Sequence, residues 1–575
     1  MLLRAIIPAS VALLAAALQI DSAAGRAVAS TPTPEECSAV SRLPLSGALD
    51  LAVRRICSPD TLPALPARPG GQAAGIVGPN QRVTTPAGAE AGNQSEPHLA
   101  VSGTLLCSVF NDYNHAGGSN VGFARKQGAA GWDHSGAVPR GTFGSLDGDP
   151  ALAVDRNGVF HVTMLADLAS GSGPLANHIA VSSSSDCSNW TGPASASGAD
   201  AHFLDKPWIA VDLRAGAAPA GNIYVCWTNF QDFTIRASHG PPGTPAGPFA
   251  GPSPSTVPPG FLVASAPAGR LVNGCQVAVT PNGNVYFAWS EFDINFPAFT
   301  NPTIFFRQCS PGLLSCEAPV AVTDGTVGAI TAIGTPDSGC GIVGKRVLVF
   351  GADAVGIWHY PSMAVGPSGD AYIAWNDARF GDADILFAQR AAGGGAFTGP
   401  VRLNQDTAGN GFRQFMPAIA AAPDGTIEAT WYDERNAVGA GLDMFASRSA
   451  NTGATWFERR VSLPPGVPFP AGGEFAVHSS CYIGDYNGIV ADDSSVFHMV
   501  WGDKRDAGPD ENIYYDFEAR PVGGITFLSD MGALSTQTPP SSSHAAGVRK
   551  GLILGTAAAL AFIGGVFCLT LRRAP

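Results

Sequence analysis

Residues 360–404 read YPSMAVGPSGDAYIAWNDARFGDADILFAQRAAGGGAFTGPVRLN. This stretch contains four short runs rich in Val, Ile, Phe, Tyr and Trp, namely SMAV, AYIAW, ILFAQR and FTGPVRLN. Turns that contain Gly, Pro and Asp separate the runs, a pattern typical of consecutive β-strands. The stretch therefore predicts a four-stranded antiparallel sheet, which cannot bury both of its faces alone.

The same pattern occurs seven times along the chain. When Pro361 is taken as the first residue of the repeat, an Ala-Val pair, a turn Gly and Trp375 follow at offsets of three to four, eight and fourteen residues. The copies start at positions 97, 150, 207, 275, 361, 417 and 487, which are 53 to 86 residues apart. A four-stranded unit that recurs at this interval predicts an all-β propeller with insertions. We predict seven blades; six blades, with one copy displaced, is the alternative.

The last copy lacks a fourth strand, because the pattern ends after residues 512–518. The segment 78–101 near the other end of the repeats resembles 399–421, which contains a fourth strand and the first strand of the next blade. We therefore predict that residues 81–85 pair with the final blade. Such pairing closes the ring and removes an exposed sheet edge.

The segments outside the repeats predict an exported protein with one membrane anchor. Residues 1–29 contain an apolar run followed by small residues and are predicted to be a signal peptide. Residues 549–572 contain 21 uncharged residues between basic pairs, enough for a membrane-spanning helix that leaves 573–575 in the cytoplasm. The remaining divisions are a Pro-rich leader (30–77), the propeller (78–520) and a stalk (521–548). The N-terminus and the propeller are therefore predicted to lie outside the cell membrane.

The composition supports a turn-rich extracellular domain. The 575 residues include 70 Gly and 46 Pro, and the net charge of −13 makes nucleic acid an unlikely partner. Of the eleven cysteines, one lies in the predicted membrane span, and the even number outside it is consistent with disulfides. Cys309 and Cys316 are close enough in sequence to bridge a hairpin, and Cys37 and Cys57 are a second candidate pair. No zinc-binding spacing occurs.

The propeller geometry predicts where a functional site would form. In an antiparallel blade the start of the first strand and the end of the second lie at the same edge. Residues just before each repeat start and just after each repeat Trp should therefore converge on one face around the axis. Three of the second strands end in a W-x-D-x-R pattern, which supplies Asp377, Asp433, Asp503, Arg379, Arg435 and Arg505.

The W-x-D-x-R pattern has two interpretations. Since alternate residues of an extended chain share a side, each Asp can pair with the Arg two residues later and tie the blade together. Alternatively, the three arginines surround a pocket and bind an anionic group such as a carboxylate. The recurrence of the pattern in several blades favours the structural interpretation, because a residue that the scaffold needs tends to recur.

A turn motif connects these repeats to a known superfamily. SRSANTGATW (447–456) is close to the S-x-D-x-G-x-T-W box, and SSSDCSNW (183–190) is a weaker copy. In such a turn the Asp or Asn accepts hydrogen bonds from backbone N–H groups, and the Trp packs between strands. On this box and the repeats of residues 78–520, the chain resembles the sialidase superfamily of β-propellers (the bacterial neuraminidase, or Asp-box, repeat proteins). It diverges from the catalytic members, because Ser95-Glu96-Pro97 replaces the Arg-Ile-Pro motif of their first blade.

The resemblance implies a cell-surface glycoside hydrolase of the exo-sialidase type that acts on anionic glycans. Only Arg379, with Asp382 or Asp384 in the next loop, matches the family motif by position. Placement on the convergent face suggests Tyr486 (or Tyr482) as the nucleophile, Glu434 (or Glu474) as the residue that polarises it, and Asp382 as the acid. The predicted substrate contacts are Arg379, Arg435, Arg505, Asp377, Asp433, Asp503 and Asp485.

Two alternatives accompany this prediction. A non-catalytic propeller that binds glycans or proteins at the cell surface is consistent with the missing first-blade arginine, and each Tyr has an ordinary explanation as a half-buried aromatic side chain. Asp147-Gly-Asp149 and Asp382-Ala-Asp384 also resemble calcium-binding loops, although solvated Asp residues are common in turns. No cofactor and no catalytic metal are predicted.

Overall fold

The structure is a computed structural model. It describes residues 80–84, 94–113, 118–168, 177–198, 203–216, 219–241, 260–294, 299–325, 327–336, 346–350, 353–435, 442–462, 482–505 and 511–518. The predicted signal peptide, leader, stalk, membrane helix and cytoplasmic tail lie outside these residues, as do Cys37 and Cys57. No helix within the described ranges is long and apolar enough to cross a bilayer. All of these ranges belong to one structural unit, Met1–Arg520, and the second unit is Pro521–Pro575.

The described residues form a succession of short strands. The first half of the chain contributes β1 (Gln81–Arg82), β2 (Gln94–Ser102), β3 (Leu105–Asp112), β4 (Val121–Gln127), β5 (Asp133–Ala137), β6 (Phe143–Val154), β7 (Phe160–Leu168), β8 (Asn177–Ser184), β9 (Ala194–Ser195), β10 (Leu204–Val211), β11 (Ile223–Asn229), β12 (Thr234–Gly240), β13 (Phe261–Ser265), β14 (Arg270–Val279), β15 (Val285–Asp293) and β16 (Thr300–Cys309). A single 3₁₀ turn, Pro311–Leu313, follows β16. The second half contributes β17 (Val320–Ala321), β18 (Thr335–Pro336), β19 (Arg346–Phe350), β20 (Asp353–Ile357), β21 (Ser362–Val365), β22 (Ala371–Asp377), β23 (Asp384–Arg390), β24 (Thr398–Arg402), β25 (Gln414–Ala421), β26 (Ile427–Asp433), β27 (Asp443–Ser449), β28 (Phe457–Arg460), β29 (Gly488–Ala491), β30 (Phe497–Asp503) and β31 (Asn512–Glu518).

These strands form a seven-bladed β-propeller. Six blades use four consecutive antiparallel strands each: β2–β5, β6–β9, β10–β13, β14–β17, β21–β24 and β25–β28, which we number blades 1 to 6. Blade 7 has the order β1-β31-β30-β29 and therefore takes its outer strand from the beginning of the propeller. The prediction of seven blades is confirmed.

The ring closes as the sequence predicts. Gln81 lies opposite Tyr515 and Arg82 opposite Tyr514 in an antiparallel pair, and the Val83 N–H donates to the Ile513 carbonyl at 2.8 Å. Because the first and last parts of the propeller share one sheet, blade 7 has no unpaired outer edge at this point.

The repeat Trp residues form the interior of the blades. Trp227, Trp289, Trp375, Trp431 and Trp501 are all less than 2% exposed. Full burial of a large apolar side chain stabilises a fold by about 1.5–3 kcal/mol. In four of these five blades the Trp follows the repeat start by fourteen residues, so this spacing marks a core position of the blade.

One sheet does not follow the repeat. Strands β18, β19 and β20 form a three-stranded antiparallel sheet in the long segment between blades 4 and 5. The repeat pattern did not predict these strands. The segment leads directly into Trp358 and Tyr360, which lie beside the axis.

Three disulfides link the described residues. The bridge Cys309–Cys316 confirms the pairing predicted from sequence. Cys107–Cys187 and Cys226–Cys275 join blade 1 to blade 2 and blade 3 to blade 4. The latter two partners are 80 and 49 residues apart, so short-range spacing contains no signal for them.

The Asp-box turn has the structural role that its sequence indicates. Asn451 Oδ1 accepts the Thr455 N–H at 2.9 Å, and Ser449 Oγ accepts the Gly453 N–H at 2.8 Å. The Trp456 ring packs edge-on against Phe387 of the preceding blade at 5.0 Å. Asp186 makes the equivalent contacts in blade 2, accepting the Ser188 and Asn189 N–H groups.

Candidate functional site

The residue before each repeat start has a special backbone conformation in most blades. Glu96, Asp149, Lys206 and Met416 have positive φ angles between 50° and 56°, and Gly274 has a φ of 71°. At each of these points the pairing between the first two strands shifts register, as in a β-bulge. A positive φ is unfavourable for side chains other than Gly, and such conformations cluster at functional sites. The remaining two members of this set are Tyr360 and Tyr486.

Side chains of this set from several blades meet at Lys206. Its ammonium Nζ lies 3.1 Å from Glu96 Oε1, 3.3 Å from Asp149 Oδ2 and 2.9 Å from Asp485 Oδ2. The ammonium also lies 5.0 Å from the centre of the Tyr486 ring. Blades 1, 2, 3 and the entry to blade 7 therefore contribute to one buried cluster, as expected if residues before the repeat start converge on the axis.

Burial and mutual repulsion control the protonation of this cluster. Burial, together with the neighbouring Asp149 carboxylate, raises the pKa of Glu96 to about 8. Burial also raises the pKa of Asp149. For Lys206, burial opposes the charge, but the Asp149, Asp485 and Glu96 carboxyl groups together raise its pKa well above the ordinary value. At neutral pH the cluster thus contains a permanent ammonium ion and a Glu96 that retains its proton.

Tyrosine hydroxyls surround the cluster. The Tyr482 hydroxyl donates to Glu96 Oε1, the Tyr486 hydroxyl donates to the Pro150 carbonyl at 2.8 Å, and the Tyr360 hydroxyl is 2.6 Å from Asn273 Nδ2. Burial and the nearby carboxyl groups raise the pKa of all three phenols well above their ordinary value. They are therefore present as neutral hydroxyls, which donate hydrogen bonds and are weak nucleophiles.

A cavity of about 40 Å³ adjoins the cluster, and we call it the axial cavity. Its wall combines aromatic rings with side chains that form hydrogen bonds. The lining residues are Lys206, Trp208, Gly274, Cys275, Gln276, Ile357, Trp358, Tyr360, Pro361, Asn376, Met416, Pro417, Asp485 and Tyr486.

Two aromatic pairs form part of this wall. The Trp358 and Tyr360 rings are stacked, with centres 5.2 Å apart and an angle of 13° between planes. Trp208 meets Tyr486 edge-on at 5.4 Å. Tyr360 has room because residue 274 is Gly: an added Cβ there would lie 2.3 Å from the Tyr360 ring. The small residue in blade 4 therefore positions an aromatic side chain from blade 5.

The three arginines of the W-x-D-x-R pattern are engaged with their own blades. Arg379, Arg435 and Arg505 each form a salt bridge to the Asp two residues earlier, at 2.6, 2.6 and 2.5 Å. Each indole N–H of the preceding Trp donates to the same Asp, as it does from Trp375 to Asp377 at 3.1 Å.

The rest of each guanidinium group contacts a neighbouring segment. Arg379 donates to the Val327 carbonyl at 2.5 Å, Arg435 to Glu458 at 2.6 Å and Arg505 to Asn80 Oδ1 at 3.0 Å. None of the three is among the residues that line the axial cavity. The observed contacts are those of the structural interpretation, and binding of an anionic group by these arginines remains a prediction.

The remaining predicted site residues are dispersed. Asp485 and Tyr486 line the axial cavity. Glu434 accepts two hydrogen bonds from Arg413, each of 2.6 Å, and Asp382 accepts the Gly409 and Gly411 N–H groups. Glu474 lies outside the described residues. The structure therefore does not place Glu434 or Asp382 in the cavity wall with Tyr486.

The Asp pairs that suggested calcium have other partners. Asp149 contacts Lys206, and Asp384 accepts hydrogen bonds from Arg402 and Asn404. Burial, together with the neighbouring Asp147, raises the pKa of the half-buried Asp167 to about 8. In the part of the chain that the structure describes, no group of three or more His, Cys, Asp or Glu side chains is arranged to hold a metal ion.

Residues before the repeat starts converge as blade geometry predicts, but the residues that meet at Lys206 were mostly absent from the predicted site. Glu96, Asp149 and Lys206 all occupy the position before the repeat Pro, which the geometry assigns to the axis. A usable signal was the change of residue type at this position: it carries acidic, basic, aromatic and apolar side chains in different blades, whereas the W-x-D-x-R residues recur.

Comparison with solved structures finds propellers of similar fold at low identity. An ulvan lyase has 11% identity and a TM-score of 0.44, over 75% of this chain and 94% of the lyase. The α-L-arabinofuranosidase from Fusarium graminearum has 10% identity and a TM-score of 0.39, over 76% of this chain and 97% of that enzyme. A Hadza microbial sialidase has 12% identity and a TM-score of 0.36, over 69% of this chain and 73% of the sialidase. No protein-family model matches the chain, and no curated protein does. These similarities concern the fold alone.

Proposed function

We propose that the protein is a cell-surface propeller that binds a glycan in the axial cavity. The observation that carries this proposal is the composition of the cavity wall, in which the stacked Trp358 and Tyr360 rings lie beside Gln276, Asn376 and Asp485. The C–H face of a sugar ring packs on aromatic rings, and its hydroxyls require hydrogen-bond partners. A concave site with aromatic walls and a few polar groups offers both kinds of contact, and a cavity of about 40 Å³ admits an edge of a sugar ring rather than the whole ring.

The charge of the cluster bears on the type of glycan. Three carboxyl groups surround one ammonium ion at Lys206, and the arginines that could attract an anion are paired with aspartates. The site therefore favours a neutral or basic sugar over the anionic sugar that the superfamily resemblance implies. If the three arginines contact the ligand, an acidic glycan is the predicted ligand instead.

The test is a binding screen of the purified full-length protein against neutral, amino and acidic oligosaccharides. Trp358→Ala should weaken the binding of the best glycan at least tenfold, about 1.4 kcal/mol, because it removes one aromatic surface. Phe397→Ala is the matched control, since Phe397 is a buried aromatic residue like Trp358 but lies outside the cavity wall, and affinity is measured on the folded fraction of each variant. Absence of glycan binding, or equal losses in the two variants, would contradict the proposal.

Hydrolysis of the bound glycan is the second candidate, and the protonated Glu96 favours it. Lys206 touches both Glu96 and Asp485, and Lys206 and Asp485 reach the cavity wall. In this mechanism the Lys206 ammonium gives one proton to the leaving oxygen while Glu96 transfers its own proton to Nζ, so that the ammonium is restored. Asp485 stabilises the positive anomeric carbon and takes the proton from the water that adds to it. The raised pKa of Tyr486 disfavours the predicted Tyr nucleophile.

Turnover separates the two candidates. Release of reducing sugar from the glycan identified in the screen should fall at least 100-fold in Asp485→Asn if the protein is a hydrolase, while binding persists. Hydrolysis of a fluorogenic sialoside tests the sialidase prediction. Binding without turnover in the wild type would identify a lectin-like propeller.

We also propose that the propeller is exported and anchored by residues 549–572. Three disulfides among the described residues fit an oxidising compartment. Protease added to cells with an intact membrane should cleave the propeller and spare cytoplasmic proteins. Cleavage that requires lysis would contradict this location.

A further inference from the structure

The residue that follows the repeat Trp, or the Phe110 or Met164 that replaces it in blades 1 and 2, occupies an equivalent place in every blade. Each occupies one position in the second strand, and the set is Asn111, Leu165, Thr228, Ser290, Asn376, Tyr432 and Gly502. Five of the seven have polar side chains, so hydrogen bonding at this position can be compared from blade to blade. The comparison shows that one member differs from the others.

Four of the polar members bond to the structure that follows their own blade. Asn111 Oδ1 accepts the Asp149 N–H at 2.7 Å, and Thr228 donates to Asn273 Oδ1 at 2.8 Å. Ser290 donates to the His359 carbonyl at 2.5 Å, and Tyr432 donates to the Gly502 carbonyl at 2.8 Å. The side chain at this position therefore normally connects one blade to the next.

Asn376 of blade 5 has no such bond. It is 1% exposed, and neither its amide Nδ2 nor its Oδ1 has a hydrogen-bond partner among the described residues. The next blade presents Met416 at the position before the repeat Pro, and that side chain cannot replace an amide partner. Asn376, Met416 and Pro417 all line the axial cavity. The connection is thus interrupted where the cavity lies.

An unpaired buried amide is unfavourable, which indicates a role other than stability. A buried polar group without a hydrogen-bond partner is destabilising, because it has lost its bonds to water and gained none in return. Leu has nearly the same shape and does not need a partner, so the scaffold alone would favour it. A ligand in the cavity that supplies both an acceptor and a donor would remove this cost.

We infer that Asn376 is the specificity-determining residue of the axial cavity and binds two adjacent hydroxyl groups of a sugar. The inference rests on the proposed glycan-binding function and deepens it. A primary amide presents its N–H donor and its C=O acceptor side by side. Two vicinal hydroxyls can accept from the first and donate to the second. The N–H and C=O of a trans acetamido group point in opposite directions and cannot make this pair of bonds.

The neighbouring Gln276 is consistent with this function. Its Oε1 accepts the Met363 N–H at 2.5 Å, which fixes the orientation of the amide. Gln276 therefore contributes a fixed donor to the wall, whereas Asn376 contributes a donor and an acceptor. The two amides and the Trp358–Tyr360 pair together match the polar edge and the apolar face of a sugar ring.

The decisive comparison is between Asn376→Leu and Thr228→Val in the full-length protein. Thr228 occupies the same position in its own blade but already has a partner, and it is absent from the cavity wall. We expect Asn376→Leu to unfold at the same or a higher denaturant concentration and to bind the best oligosaccharide of the screen at least tenfold more weakly. Thr228→Val should unfold earlier, while its folded fraction retains wild-type affinity.

Deoxy sugars test the contact itself. A methyl glycoside that lacks one of the two adjacent hydroxyls should lose at least tenfold in affinity for the wild type and nothing further for Asn376→Leu. The inference is overturned if Asn376→Leu destabilises the fold as Thr228→Val does and retains wild-type affinity. If Trp358→Ala weakens binding and Asn376→Leu does not, the inference fails and the proposed function stands. If the wild type binds no glycan, both fail.

Discussion

The arginines at the ends of blades 5, 6 and 7 and the residues at the axis illustrate two ways in which a propeller uses charge. Arg379, Arg435 and Arg505 recur at one repeat position, and each is bonded within its own blade or to a neighbouring segment. At the axis, the position before the repeat start carries Glu96, Asp149 or Lys206 in different blades. These side chains bond to one another across blades. A charged residue that recurs in several blades stabilises the blade itself. A charged residue that occurs only at the axis instead determines the hydrogen bonding and ionisation of the side chains that meet there.

The largest effect should come from removing the axial ammonium. In Lys206→Met three carboxyl groups lose their shared cation in a site where Lys206 itself is 5% exposed. Removing one member of a buried ion cluster costs about 3–5 kcal/mol of unfolding free energy. Urea unfolding at pH 7 measures this loss, and Asp485→Asn, which retains the cation, is the control.

Unfolding of Lys206→Met at acidic pH tests whether its loss of stability is electrostatic. Carboxyl groups that become protonated no longer need the cation, so the deficit of Lys206→Met should decrease at pH 5. A deficit that does not change between pH 5 and 7 would show that the loss is one of packing rather than charge.

A smaller effect is expected at the arginines. Arg435→Ala removes charged hydrogen bonds to Asp433 and Glu458, each of which contributes about 1.5–3 kcal/mol when made to a charged group. Because the side chain is 15% exposed, we expect a loss of about 2 kcal/mol and unchanged glycan affinity of the folded protein. A folded variant that loses the binding of an acidic glycan would instead support the predicted carboxylate site.

A further effect concerns pH and accumulates gradually over several pH units. Unfolded Glu96 releases its proton near pH 4.5, whereas burial raises the folded pKa to about 8. Between these values the folded state binds one more proton, so the free energy of unfolding decreases as pH rises, by at most about 1.4 kcal/mol per pH unit. Glu96→Gln should reduce this slope in urea titrations between pH 5 and 8. An unchanged slope would assign it to other groups, Asp149 first.

The sequence predicted the features that repeat. The Trp spacing, the turn glycines and the resemblance of residues 78–101 to 399–421 predicted seven blades and the closing pair of β1 with β31. The strands and turns within blades 1 to 6 are local patterns. The pair of β1 with β31 joins Gln81 to Tyr515 across the whole propeller, and it was predictable only because residues 78–101 resemble 399–421. The Cys309–Cys316 bridge was predictable as a local pattern, with a sequence separation of seven residues.

The axial site was only partly predictable. The convergence of residues before the repeat starts and the positions of Asp485 and Tyr486 follow from blade geometry. The pairing of Lys206 with Glu96, Asp149 and Asp485 does not, because these residues come from different blades and Lys206 and Asp485 are separated by 279 positions. The disulfides Cys107–Cys187 and Cys226–Cys275 were unpredictable for the same reason.

By itself, therefore, the sequence determined the blade, its number of copies and the edge at which they meet, because hydrophobic and turn residues act on their immediate neighbours. Only the tertiary structure decided which side chains share the axis and which remain without a partner. Burial removes water from that point, so the free energy of each polar group there depends on side chains contributed by other blades. Lys206 is stabilised by three of them, and Asn376 lies beside a cavity with none.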